Sequence, residues 1–309
     1  MSLWLGPRSG VVATVAAVVG FVAQATGSGA QAQGRLDARY TASLAGIPIG
    51  RGAWVIDIGD DKYLAAASGA TAGIMRLFSG GEGTGASRGR VVNGQLVPAT
   101  YAASISSSQR KNEVRIALKA GAVKDLSVSP PVTPESERVP LSESHRRGVI
   151  DPMTASLLRV RVPLSESHRR GVIDPMTASL LRVAASGDPL VPNSCQRTVS
   201  VFDGRMRYDL HLAYKRMDQV KAAKGYTGPA LVCAIYFSPV AGHIPDRAAI
   251  KYLAQLRDME IWLTPIAGTS VLVPFRLSIP TPFGLGVLEA TQFLTIAHRT
   301  RAATSGATQ

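Results

Sequence analysis

Ser87 stands in Gly85-Ala86-Ser87-Arg88-Gly89, the G-x-S-x-G spacing of a hydrolase nucleophile elbow. That chemistry requires a strand running into a helix, so that a strained turn exposes the serine. Here the motif follows a glycine-rich stretch and leads into a polar strand, with no α/β alternation around it. His243 and Asp246 could be imagined as a base and its partner, but Pro245 between them reads as a structural turn. Gly81-x-Gly83-x-x-Ala86 imitates a dinucleotide fingerprint without the surrounding βαβ unit. The sequence has no G-x-x-x-x-G-K-[ST] and no H-E-x-x-H, so it gives no support to nucleotide hydrolysis or zincin chemistry. No catalytic residue, metal site or cofactor is predicted.

The two cysteines, Cys195 and Cys233, lack the paired spacing of zinc ligands and read first as a disulfide. In the chain-entropy model such a bridge stabilises by on the order of 4 kcal/mol. An oxidising compartment is also announced at the start of the chain. Arg8 precedes the apolar run Val11 to Ala23, and Ala30-Gln31-Ala32 offers a cleavage site, which is the grammar of a secretory signal peptide over residues 1–32. The expected location is the periplasm. The sequence carries 34 basic and 21 acidic residues, a net charge of +13; removing Arg8 with the leader leaves +12. Without aromatic interleaving this charge does not suggest nucleic acid. It suits an anionic lipid or an envelope polymer, with peripheral membrane contact.

The elements that must position any site are strands. Leu36, Ala38, Tyr40, Ala42 and Leu44 alternate with polar residues, Gly46 to Gly50 turns the chain, and Trp54, Ile56 and Ile58 alternate again. Further strands are predicted near 63–67, 87–92, 96–105 and 113–118, with Asn93-Gly94 as a hairpin turn. After residue 187 the chain is β-rich again. An Asp203-Gly204 turn leads into the alternating Met206 to Tyr214, the lysines of 215–224 read as an exposed loop, and strands follow at 231–237, 259–263, 270–279 and 285–296. Residues 246–256 read as a short helix, and the tail 299–309 as disordered.

Between the halves, Arg138 to Val160 (RVPLSESHRRGVIDPMTASLLRV) is repeated letter for letter from Arg161 to Val183. Two copies cannot build a solenoid. Asp151-Pro152 and Asp174-Pro175 are helix starts, an N-cap followed by proline at the first helical position. In one continuous helix, an offset of 23 residues would rotate the second apolar stripe by about 140° from the first. Two short helices joined by a loop are therefore expected, only one of them packed where an unduplicated parent would place it. Equal hydrogen-exchange protection of both copies would contradict this.

Three separated motifs carry a family resemblance: Tyr40-x-x-x-Leu44-Ala45-Gly46-Ile47-Pro48-Ile49-Gly50, the His145-Arg-Arg-Gly148-Val-Ile-Asp151-Pro152 segment, and Cys195 to Phe202-Asp203-Gly204-Arg205 ending in Tyr208-Asp209. Together they resemble the DUF3108 family of exported proteobacterial proteins, over nearly the whole mature chain. The resemblance implies a fold and a compartment, but no reaction. Ile261-Trp262-Leu263-Thr264-Pro265 and Leu272-Val273-Pro274-Phe275-Arg276-Leu277 are similar to a hairpin of LolA/LolB-type lipoprotein carriers, which are open half-barrels with an apolar cavity.

The expected architecture is mainly β: a single domain over 33–298, formed as a curved antiparallel sheet or half-barrel with a few short helices from the central segment. The expected function is a non-enzymatic envelope protein binding a lipid-like or amphipathic ligand. The ligand-binding candidates are Tyr40, Trp54, Arg205, Arg207, Tyr208 and Trp262. The alternative is a structural protein whose strand edges or basic surface contact a protein partner or the cell wall.

Overall fold

The computed structural model describes residues 33–73, 80–93, 95–107, 110–131, 166–183 and 188–298. The predicted leader, the tail and the first copy of the repeat lie outside them. What is described is mainly β, as the alternation predicts. The strands are β1 (Gly34–Leu44), β2 (Ile47–Ile58), β3 (Lys62–Thr71), β4 (Gly81–Val92), β5 (Gln95–Ser107), β6 (Lys111–Lys119), β7 (Ala122–Ser129), β8 (Leu181–Arg182), β9 (Arg197–Phe202), β10 (Arg207–Lys221), β11 (Lys224–Gly225), β12 (Thr227–Ala241), β13 (Met259–Pro265), β14 (Val271–Thr281) and β15 (Gly284–Ala297). All belong to one sheet, ordered β7-β6-β5-β4-β3-β2-β1-β15-β14-β13-β12-β10-β9, with β11 added to β15 and β8 to β14. Apart from the two-residue parallel contact of β11 with β15, the ladders are antiparallel.

The sheet does not close on itself by a ladder. The gap between its end strands is bridged by the second copy of the repeat. Arg170 pairs with Ala122 at the start of β7, and the Val172 amide donates to Gly121 O at 3.1 Å. Ile173 pairs with Val201 of β9, donating to Ser200 O and accepting from the Phe202 amide, each at 3.0 Å. Val172 and Phe202 are fully buried against Ile116 and Leu118 of β6, so an apolar seam accompanies the bridge. Arg205 adds a polar clasp, its guanidinium donating to the carbonyls of Ser129 and Pro130 at 3.4 and 3.1 Å.

Immediately after the bridge comes α1 (Pro175–Ala178), capped by Asp174 and opened by Pro175, as the Asp-Pro signal predicts. The second copy thus occupies a packed position. A second helix, α2 (Ala248–Gln255), falls within the predicted 246–256.

Two stretches differ from the sequence reading. Residues 215–221 continue β10 instead of forming a loop, because their backbone completes the ladder with β12 (Met217 opposite Leu231, Gln219 opposite Pro229) while the charged side chains face water. The glycine-rich stretch from Gly81 is itself strand, paired on both sides.

The main core joins Leu36, Ile56, Ile58, Tyr63, Phe275 and Phe293, with the Phe275 and Phe293 ring centroids 5.4 Å apart. A second cluster surrounds the Cys195–Cys233 disulfide, with Leu181, Leu231, Leu263 and Leu272 buried about it. Cys195 ends a 3-10 turn (Pro192–Cys195) and Cys233 lies in β12, so the bridge reaches past β10 to tie the approach to β9 onto the sheet.

Candidate functional site

Along much of β1 to β4 the more buried positions alternate with more exposed ones, placing every second side chain on the concave face. At one end the inward positions hold Leu36, Ile56, Ile58 and Tyr63, which fill the interior. Toward the other end the same rows carry Ala42, Gly50, Gly52, Ala67, Gly69, Gly81, Gly83, Gly85 and Ala103. Nearly every inward position there lacks a side chain beyond Cβ, and a cavity of about 810 Å³ results. That lies in the upper part of the roughly 300–1,000 Å³ range of ligand clefts.

Three glycines of this floor are not demanded by the backbone, whereas a Cβ at Gly50 or Gly52 would stand 3.3 Å from Ala70 O or 3.2 Å from Ser68 O, tighter than ordinary contact. A Cβ at Gly69 would lie 3.5 Å from Arg51 O, at Gly81 3.6 Å from Ser106 O, and at Gly83 3.6 Å from Ser104 O, ordinary contacts with the neighbouring strand. None of the three is among the glycines of positive φ. Because glycine weakens a strand by roughly 0.5–1 kcal/mol relative to alanine, a row of them requires another reason. Their structural effect is the open space they leave.

Tyr40, Trp54, Tyr101 and Ser179 line the deep end of the cavity, Leu277 and Leu288 one flank, and Ile49, Thr71, Gly81 and Ile105 the mouth. Tyr40 is held by its hydroxyl donating to Pro274 O at 2.7 Å, and burial raises its pKa. Trp54 Nε1 is buried and has no hydrogen-bond partner. An unmatched buried donor costs about 1–3 kcal/mol, so the deep end holds one unused polar valence.

Below the cavity α1 is latched to the sheet through polar groups. Ser87 Oγ donates to Asp174 Oδ2 at 3.0 Å, Thr177 Oγ1 donates to the same oxygen at 2.7 Å, and the Thr177 amide donates to Oδ1 at 2.9 Å. The carboxylate thus takes both hydroxyl protons, which leaves Thr177 Oγ1 to accept from the Tyr63 hydroxyl at 2.7 Å. Burial raises the Asp174 pKa against the lowering effect of these bonds, and pushes Tyr63 up to about 12. Met176, on the same turn, has its Cε 3.3 Å from where a Cβ on Gly85 would lie.

Ser87 therefore has a structural task. It is 1% exposed, sits in mid-strand opposite Ala65 and Tyr101, and spends its proton on Asp174. No histidine is among its hydrogen-bond partners, and Asp246 pairs with Lys251 at 2.8 Å. The Asp174-Pro175 cap was readable from sequence, but its partner Ser87 lies 87 positions away and only the fold brings them together.

Of the six ligand candidates, Tyr40 and Trp54 line the cavity and the other four are engaged elsewhere. Arg205 is the clasp on β7, and Arg207 pairs with Asp209 at 2.7 Å. Tyr208 packs on Phe237, with ring centroids 5.4 Å apart. The guanidinium groups of Arg276 and Arg216 lie 4.8 and 5.4 Å from the centroid of the Trp262 ring, and its indole N–H donates to Asp218 at 2.9 Å. Arg216 hydrogen bonds, with help from Lys215, hold the adjacent Glu260 down to about 2. Sequence reasoning missed the glycine floor, although its signal was visible as glycine at every second position of 81–85 and at 50 and 52.

Fold and site together define an open antiparallel β half-barrel, plugged by a short helix and enclosing an apolar cavity. The chain belongs to the DUF3108 family, described as a protein of unknown function, whose model matches residues 39–291. Among solved structures it is similar to a beta-barrel-like protein of domain of unknown function DUF1849 from Brucella abortus. The two share 8% identity at a TM-score of 0.46, over 86% of this chain and 98% of that one. No curated protein matches.

Proposed function

We propose that this protein is a non-enzymatic binding protein of the bacterial envelope, which holds a lipid-like or amphipathic molecule in the cavity above α1. The observation that carries this reading is the floor of inward glycines and alanines, which leaves space in rows that are tightly filled a few residues further along. The hydrocarbon part of the ligand would lie on this floor, gaining about 25 cal/mol per Å² of apolar surface removed from water. An ester or carboxylate oxygen at the deep end would satisfy the unpartnered Trp54 N–H. Export is supported by the leader-like residues 1–32 and by the Cys195–Cys233 disulfide, which persists in oxidising compartments. Among the described residues no helix is long and apolar enough to cross a membrane. Edge-strand pairing with a scaffold has less support, because Arg170 to Ile173 already engages β7 and β9.

The test is titration of the delipidated mature protein with a fluorescent fatty acid, beside the variant Gly83→Leu. Saturable uptake is expected for the wild type, with at least about a tenfold loss when leucine occupies the floor. Uptake that is non-saturable, or equal in the two proteins, refutes the carrier reading.

A further inference from the structure

The open end of the half-barrel carries exposed apolar side chains on its strand ends and, at Phe283, on a turn, where polar residues are usual. Strand alternation puts the β1–β2, β5–β6 and β14–β15 turns at one end, the end at which Ile49, Thr71, Gly81 and Ile105 line the cavity mouth. Among the described residues, three of the most exposed large apolar side chains stand there, Phe283 at 79%, Ile105 at 61% and Ile47 at 58%, with Leu285 beside them; Ile296, at 59%, lies at the opposite end. The first and last of these turns are tied together, since the Ala45 amide donates to Leu285 O at 2.9 Å.

Phe283 is held out by its turn. Thr281 Oγ1 accepts from the Phe283 amide at 3.2 Å and donates to Gly284 O at 2.6 Å, while Gly284 takes φ +110°, a conformation that suits glycine. The exposure is therefore a fixed feature of a hydrogen-bonded turn. Arg51 lies at the mouth, and Arg110 and Lys111 are exposed on the β5–β6 turn; the acidic groups facing them are Glu82 and Glu113, the latter paired with Lys111 at 2.7 Å. The chain as a whole carries +13.

We propose that this rim docks on an anionic lipid leaflet, with Ile47, Ile105, Phe283 and Leu285 entering the acyl boundary so that a ligand passes between bilayer and cavity without crossing water. The inference rests on the cavity reading and names the surface that serves it. A bilayer fits better than a folded partner because the apolar groups are spread over one turn, at Phe283, and the ends of three strands, at Ile47, Ile105 and Leu285, beside an apolar opening. Apolar insertion and attraction to anionic headgroups are the two contributions that hold a protein at a membrane surface.

The experiment is flotation of the full mature protein with mixed phosphatidylcholine/phosphatidylglycerol vesicles, comparing wild type with the double variant Phe283→Ser, Ile47→Ser. Both side chains are exposed, so thermal stability should not change. Vesicle partitioning should fall by about 10- to 100-fold, while uptake of fatty acid delivered from cyclodextrin stays at the wild-type level. Equal flotation of the two proteins overturns the docking face, as does a wild type that fails to float. A wild-type dimer that the substitutions dissociate would assign the rim to self-association and likewise overturn it. Normal docking with no fatty-acid uptake would sink the cavity reading and leave the docking face standing.

Discussion

The two ends of the same strands make an instructive contrast. In β2 the inward row reads Gly50, Gly52, Trp54, Ile56, Ile58, and in β3, taken from the open end, Gly69, Ala67, Ala65, Tyr63. Backbone pairing is continuous along both, so the hydrogen-bond ladder does not distinguish the ends. Side-chain volume does. Where the row is large, residues are buried and interlocked and the barrel behaves as a core; where it is small, the same curvature encloses unfilled space. An open cleft thus arises where side chains are omitted, while the other end and the cluster around the disulfide hold the close-packed interior.

The largest expected effect probes the filled end. Phe293→Ala removes a fully buried ring that packs on Phe275 and Tyr226, and should cost about 3–5 kcal/mol by denaturant unfolding. A cost below about 1 kcal/mol would mean that the two ends do not differ as claimed.

At the boundary between the ends lies the Asp174 latch. Asp174→Ala loses the cap and strands the Ser87 and Thr177 donors, so a loss of about 2–3 kcal/mol is expected. Asp174→Asn keeps an acceptor without a buried charge and should come close to wild type at neutral pH. The sign follows from the raised pKa: ionised, buried Asp174 is a burden above its folded pKa, and the burden fades as pH falls toward its unfolded value of 3.8. Relative to Asp174→Asn, the wild type should gain stability across that acid window. Parallel pH profiles of the two unfolding free energies would contradict the assignment.

In the vacant end, Gly69→Leu should change stability by no more than about 1 kcal/mol, in the stabilising direction, since its Cβ meets only an ordinary contact and the cavity lies beyond it. A strongly destabilised Gly69→Leu would show that the floor is already occupied by packing.

The smallest effect concerns Glu260, on the Trp262 cluster outside both regions. Its folded pKa is depressed to about 2 by hydrogen bonds from Arg216 and Lys215, so its contribution is present above its unfolded value of 4.5 and is lost as pH falls through about 2. Glu260→Gln should lower the melting temperature slightly at pH 7 and have no further effect at the bottom of that window, as thermal scans would show.

Several elements were legible because their signal is local. The alternation of β1 and β2, the Asp-Pro start of α1, the turn after Phe202 and the cysteine pair each depend on neighbours in sequence, or on two residues of one rare type. Others were not. Lys215 to Lys221 looks like a polar loop until β12 lies beside it, because an exposed strand needs only a partner for its backbone. Ser87 looked like a weak catalytic motif, and its true partners arrive from 87 and 90 positions away. The surroundings of Trp262 were not legible either: Arg216 and Arg276 reach its ring from other strands, within 5.4 and 4.8 Å of the centroid.

The mainly β character, the cysteine pair and the helix start at Asp174-Pro175 could be read from the sequence, because period-two alternation, residue chemistry and capping are written in adjacent positions. The bridging of the sheet edges by the second copy of the repeat, and the gathering of glycines from three strands into one floor, emerge only on folding. Both depend on cross-strand register, which is set by ladders between residues far apart in sequence and by the volume of side chains that meet only after the sheet has curved.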